Sequence, residues 1–428
     1  MRIVVFGLGP RFKGGIANYT TSLAKTLDKI KNVEVHLVSW IQQYPAIIPR
    51  DFIDRSSKTD LLEGTNVKVN YLTNYNNPKT WHETYQTIVE INPDIAIFQW
   101  SIALQGIPLG YITRKLKKHP EIKTIFDLHF VVQKEGSILD NALTKYGISC
   151  SNSYIVHSYK TAKELKQTFP KFNFSMTKTG KKIGGKNSRN IIKLYHPVYD
   201  MFTSAPNFDI ASQKRRLNLK KHVFLSFGFI RRYKGLHNTI KAFAKVNEER
   251  DDVSLLIVGE SLWNTLDPKK ASTRIKVWLF KFLSALFIRK GESGLNYRPL
   301  DLIDEFSLAD SVTVVNEYIP NEDVHKYLQV SDCMVLYYLT GTLSGVEALA
   351  YNFNLPILAT RIGHLPETIK EGFNGYLAEP DDIDSMAETM IKFLEQPIQK
   401  QNVALRAKEF SWENYAKSII NKEFGKNV

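Results

Sequence analysis

Three short stretches of this 428-residue chain combine a predicted helix start with residues able to hold an anion. The first, Ser344-Gly345-Val346-Glu347, follows the apolar run Met334–Tyr338 and a loop of Thr, Gly and Ser. Serine three residues ahead of glutamate is a capping-box pattern, so a helix is expected to open here with Glu347 engaged in capping. Unpaired backbone N–H groups and the positive end of the helix dipole make such a terminus a site for phosphate. The second stretch is Gly228-Phe-Ile-Arg231-Arg232-Tyr233-Lys234-Gly235, a basic turn between a predicted strand and a predicted helix. Arg231 and Lys234 have the chemistry to clamp a diphosphate there. The third is the Gly7–Gly15 loop, where Gly14 and Gly15 let backbone come close to a ligand. His129 ends another predicted strand, on the side where open α/β sheets bind ligands. Each feature also has an ordinary structural reading: a capped helix, surface charge, tight strand–helix packing, a core histidine.

The elements that must position these residues follow one rhythm. Strands are predicted at Arg2–Gly7, Val33–Val38, Asn66–Leu72, Asp94–Trp100, Lys123–His129, Ser153–Val156 and Ile191–Leu194. Amphipathic helices fall between them. The alternation restarts with Val223–Phe229, a helix from Leu236 and a strand at Leu255–Gly259. Strands alternating with helices indicate doubly wound parallel sheets. A chain of this length exceeds one ordinary core, so two domains are expected: 1–197, and 198–410 with an insertion at 261–308. The glycine loop is not a dinucleotide fingerprint. Its third glycine position holds Phe12, and the second strand runs into Ser39-Trp40 instead of an acid.

Composition narrows the function classes. Hydrophobic residues make up 43% of the chain and aromatics 12%, which is globular rather than disordered. The two cysteines, Cys150 and Cys333, lie in apolar runs; this argues against a disulfide framework or a metal–cysteine site and fits a reducing compartment. With a strand at the start and no apolar run of roughly 18–20 residues, a cytoplasmic location is expected. A net charge of +14 implies a polyanionic partner. The excess is concentrated in 178–193, read as an exposed loop, and in 269–290. The latter reads either as a helix lying on an anionic membrane surface or as a buried cover. No nucleic-acid motif accompanies the charge, so DNA or RNA is the least favoured partner. Asp381-Asp382 is the nearest approach to a paired-carboxylate metal site and reads as helix capping.

The ordered set of motifs resembles the retaining, nucleotide-sugar-dependent glycosyltransferases of GT-B fold, in the family that contains bacterial mannosyl- and glucosyltransferases. The matching pieces are Gly14-Gly15, His129, Phe227–Gly235, Tyr318-Ile319-Pro-Asn, Ser331-Asp332, Ser344–Val346, Ile362–Glu367 and Phe410-Ser-Trp412. The resemblance implies two Rossmann-like domains facing a cleft, with the final helix (411–428) crossing back onto the first. It implies Arg231 and Lys234 on the donor diphosphate, capped by the backbone of Ser344, Gly345 and Val346. Tyr318 and Ile319 would lie near the base, Gly14 and Gly15 near the diphosphate and His129 near the sugar. It implies no metal or cofactor, a nucleotide sugar as donor, and a lipid-linked or polysaccharide acceptor. One departure stands out. The family's two glutamates, eight positions apart, fall by gapless alignment on Gly341 and Leu349, and Glu347 meets the second only through a two-residue shift. An inactive homologue acting as a binding partner, and a sugar-nucleotide epimerase, are the alternatives carried forward.

Overall fold

The computed structural model describes residues 1–45, 52–55, 57–58, 60–132, 138–176, 185, 187–261, 297–341 and 344–424. The first domain is built on eight strands: β1 (Arg2–Gly7), β2 (Glu34–Gln42), β3 (Lys68–Asn74), β4 (Ile95–Trp100), β5 (Lys123–Leu128), β6 (Ser153–Val156), β7 (Asn173–Ser175) and β8 (Ser188–Lys193). They lie in the order β3-β2-β1-β4-β5-β6-β8-β7, all pairs parallel. The second domain holds β9 (His222–Phe227), β10 (Val253–Val258), β11 (Val312–Val315), β12 (Cys333–Leu336), β13 (Ile357–Thr360) and β14 (Gly375–Ala378). Their order is β11-β10-β9-β12-β13-β14, again parallel throughout.

Helices cover both faces of each sheet, so the central strands are apolar along most of their length. In β1, Ile3 and Val5 face the helix Gly15–Asp28, with its Tyr19, Leu23 and Leu27, while Val4 and Phe6 face the opposite layer with Phe98, Leu109 and Ile112. Period-two alternation thus feeds two cores at once. The apolar cluster on the first of these faces continues without a break into the second domain.

Several expectations change. Trp100, at the carboxyl end of β4 where open α/β sheets bind ligands, is instead a core residue: it is fully buried and packs edge-on against Phe126. The exposed basic loop gives way in its described part to β8, which pairs with β6 on one side and the edge strand β7 on the other. Within it Arg189 lies 4.7 Å over the Phe172 ring, and Lys193 forms an ion pair 3.0 Å from Glu367. Lys178, Lys181, Lys182 and Lys186, together with all of 269–290, lie outside the described residues. The tail of the expected insertion belongs to the domain core, since Leu308 is buried and Tyr297, Leu300, Leu302 and Ile303 pack against it. Among the described residues no helix is long and apolar enough to cross a membrane.

The last described helix, Trp412–Phe424, leaves the second domain and packs on the helix Gly15–Asp28 of the first. Its Ala416, Ile419 and Ile420 are fully buried, Tyr415 reaches Asp127 of β5, and Glu423 accepts a hydrogen bond from Ser153 of β6.

Candidate active site between the two domains

Two helix N-termini, one from each domain, meet at a single tyrosine. The helix Gly15–Asp28 begins beside Gly14, and the helix Gly345–Asn352 begins beside Ser344, whose hydroxyl accepts from the Glu347 N–H at 3.3 Å. Tyr199 lies between them. Its hydroxyl donates to the Gly15 carbonyl at 2.9 Å, and a Cβ added to Gly345 would sit 2.9 Å from the same oxygen. Any larger residue at 345 would push the two helix ends apart. The basic turn closes the third side. A Cβ on Gly228 would approach the Lys234 ammonium to 2.9 Å and the Val346 side chain to 3.4 Å, and Gly14 faces the Phe229 ring. Gly235 ends the turn at φ +66°, where a Cβ would lie 1.9 Å from the Tyr337 carbonyl; only glycine fits. Gly14, Gly15, Lys234, Ser344, Gly345 and Val346 therefore share one locus, with Arg231 exposed at its edge. Two helix N-termini and a half-buried ammonium make it electropositive.

Glu347 does not complete the capping box. Its carboxylate, 3% exposed, turns inward and accepts from His364 Nε2, the Thr368 hydroxyl and, at 3.1 Å, the Tyr351 hydroxyl. The short helix Leu365–Thr368 is thereby fastened to the start of the helix Gly345–Asn352. Arg406 and Asn374 then donate to the Thr368 carbonyl at 3.0 and 3.3 Å. Leu349, at the position of the second family glutamate, is core at 4% exposure.

His129 sits just past β5 at 7% exposure. Asp127 accepts from Gln99 Nε2 at 3.4 Å, which turns the Gln99 oxygen toward His129 Nε2 at 2.8 Å. His129 therefore donates through Nε2, and Nδ1 is its acceptor. Burial pushes its pKa down to about 4, so the ring is neutral near pH 7. Burial raises the Asp127 carboxyl, but His157, hydrogen-bonded at 2.8 Å, with His129 and Tyr19, brings it down to about 2.

The cleft is bridged on two sides. On one, Tyr318 donates to Asp54 at 2.9 Å, Asn321 N to Ser57 at 3.2 Å and Lys58 N to Glu322 at 3.2 Å, while Lys13 covers the Tyr318 ring at 4.8 Å. Ile319 is buried, at 8% exposure. On the other side, Glu367 accepts from Tyr159 N at 3.0 Å, at the start of the helix Tyr159–Thr168, and pairs with Lys193. Sequence reasoning assigned nothing to Tyr199, His364, Thr368 or Glu367. Three of them fall inside or next to the quoted Ile362–Glu367 motif, which was the available signal.

Residues 207–410 match the family model described as Glycosyl transferases group 1. Among curated proteins, the N-acetyl-alpha-D-glucosaminyl L-malate synthase of Bacillus anthracis is 23% identical over 202 residues, covering 47% of this chain and 44% of that protein. The D-inositol 3-phosphate glycosyltransferase of Corynebacterium urealyticum is 27% identical over 124 residues, covering 28% of this chain and 29% of that protein. The chain thus aligns with less than half the length of either relative. Among solved structures, Anabaena HepE in complex with UDP-glucose superposes with a TM-score of 0.66 at 17% identity, covering 98% of this chain and 99% of that one. The second domain is thus similar in sequence to glycosyl transferases group 1, and the chain as a whole has the GT-B fold.

Proposed function

We propose that the chain transfers a sugar from a nucleoside-diphosphate sugar to an acceptor hydroxyl in the cleft between its domains. The observation that carries this reading is the meeting of two helix N-termini with Lys234 at Tyr199. As the glycosyl–oxygen bond of the donor breaks, negative charge grows on the departing diphosphate. Fixed cations and backbone N–H groups aimed there stabilise that charge more than the ground state. In this reading Arg231 and Lys234 hold the phosphates, and the N–H groups of Ser344, Gly345 and Val346 cap them. Gly14 and Gly15 bring the first domain's loop against the same group. Tyr318 and Ile319 flank the base. His129, neutral near pH 7, lies on the side of the transferred sugar. Glu347 holds the cap in place instead of touching the sugar. No metal or cofactor is needed for these roles, and the anomeric configuration is retained.

The acceptor proposed is a hydroxyl of a lipid-linked or polysaccharide glycan, with an anionic membrane surface as a partner; the net charge of +14 supports both. A small anionic acceptor is the second reading, favoured by the malate and inositol phosphate in the names of the two curated relatives.

A thermal-shift panel of UDP, GDP and ADP with their sugar conjugates tests the donor site. A ligand present at 100 times its Kd adds about 2.7 kcal/mol to the native state, a readily measured rise in Tm. One nucleotide is expected to give that rise, and Lys234→Ala to abolish it. A folded wild type indifferent to all of them overturns the reading.

A further inference from the structure

At the far end of the helix Gly15–Asp28 lies a cavity of about 800 Å³. Along that helix, fourteen residues at 1.5 Å each place it about 20 Å from the glycine loop, while Val198 and Asp200, on either side of Tyr199, bring its wall to the back of the candidate donor site. Its size suits a small organic molecule. Both domains build it. Thr26 to Lys31 come from the first, Tyr351 to Asn354 and Ala404 to Lys408 from the second, and the two connecting segments supply Val198, Asp200 and Ser411 to Lys417.

The lining is cationic. Lys29, Lys31, Lys408 and Lys417 face it against only Asp200 and Glu413. Lys417 is matched by Glu413 at 2.9 Å. Lys29, Lys31 and Lys408, drawn from two different domains, form no ion pair among the described residues. Trp412 adds a second, independent sign. It is 2% exposed, lines the cavity, and its indole N–H finds no hydrogen-bond acceptor among the described residues. A buried donor left unsatisfied costs about 1–3 kcal/mol, so an acceptor atom from a ligand is favoured there. Ile30, Val198 and Ala407 supply apolar wall between these groups.

We propose that this cavity is a second binding site, taking a small phosphate-bearing anion. The lysines match its charge, the indole meets a phosphate or ester oxygen, and the apolar wall accepts a compact organic body. Because its walls belong to both domains, an occupant favours one spacing between them. By linkage, it then alters affinity in the cleft on the other side. Binding at this site does not depend on the donor-site reading.

Pyridoxal 5′-phosphate is a suitable probe. Its aldehyde condenses with a lysine amine, releasing water, and borohydride reduces the imine to a stable amine that peptide mass spectrometry locates. Lys29, Lys31 or Lys408 should be labelled at least tenfold faster than the exposed Lys117 and Lys118. Excess pyrophosphate or glycerol 3-phosphate should suppress that labelling. Stronger protection by pyrophosphate identifies an inorganic occupant, and stronger protection by glycerol 3-phosphate an organic ester. Lys234→Ala should leave the pattern unchanged, which separates this site from the donor cleft. Labelling no faster than at Lys117, or protection by neither anion, overturns the proposal.

Discussion

Asp127 in the first domain and Glu347 in the second are buried carboxylates that keep nearly the same company. Asp127, fully buried, accepts from His157 at 2.8 Å, Tyr19 at 2.8 Å and Tyr415 at 3.2 Å. Glu347 accepts from His364, Thr368 and Tyr351. What differs is where the partners come from. Those of Asp127 lie up to 288 positions away and include the helix that returns from the second domain. Those of Glu347 all lie within 21 positions, beneath one helix start. The same chemistry therefore serves long-range closure of a domain in one place and local rigidity of a helix N-terminus in the other.

Breaking each in turn should separate these roles. Asp127→Asn is expected to have the largest effect on stability. It leaves a buried histidine without its carboxylate, a change that costs on the order of 3–5 kcal/mol, and a denaturant titration would show it. The wild type should also reveal this carboxylate through pH. A folded pKa of about 2 lies below the ordinary Asp value of about 3.9, so its stabilisation is complete above pH 4 and fades as pH falls toward 2. His129 adds an earlier slope. Its folded pKa of about 4 lies below the ordinary 6.5, so the unfolded chain takes up the proton first and stability declines as pH falls from 6.5 to 4. His129→Gln should make that upper window shallower, with buried His196 keeping part of it, and move the lower one slightly upward, because His129 helps hold Asp127 down.

Glu347→Gln is expected to cost less, about 1–3 kcal/mol, because its amide still accepts some of these bonds. Its signature should be in ligand binding: calorimetry should show donor affinity falling by tenfold or more while the fold persists. An unchanged affinity would make Glu347 as purely structural as Asp127. Glu367→Gln should be mildest for stability, since its partners sit at a partly solvated seam. Steady-state kinetics should show a several-fold loss in kcat with donor KM within about twofold, because the change loosens one bridge across the cleft without touching the helix N-termini at Tyr199.

How much of this was legible beforehand depends on the range of the contact involved. The parallel sheets follow from alternating apolar runs and amphipathic helices, and the strands the pattern predicts stand within a few residues of their places; the short strands β7 and β14 are not among them. Ser344 caps its helix as its type predicts. Glu347 shows the boundary of that rule: its position fits a capping box, but which way its carboxylate turns is decided by His364 and Thr368, seventeen and twenty-one residues on. Tyr199 carries no local signal because its partners, Gly15 and Gly345, lie about 180 and 150 positions away. The bridging role of Glu367 depends likewise on Lys193 and Tyr159 in the other domain, which no local pattern reports.

The return of the helix Trp412–Phe424 onto the first domain also sets an order of assembly during synthesis. Roughly 220 residues separate β8 from that helix, so at about 5–20 residues per second some 10–45 s pass before it is made. Throughout that interval the newborn first domain lacks Tyr415 and leaves Tyr19 and Asp127 uncovered. Its completion waits on the second domain, so a nascent chain halted partway would present an unfinished, adhesive surface that quality-control factors can recognise.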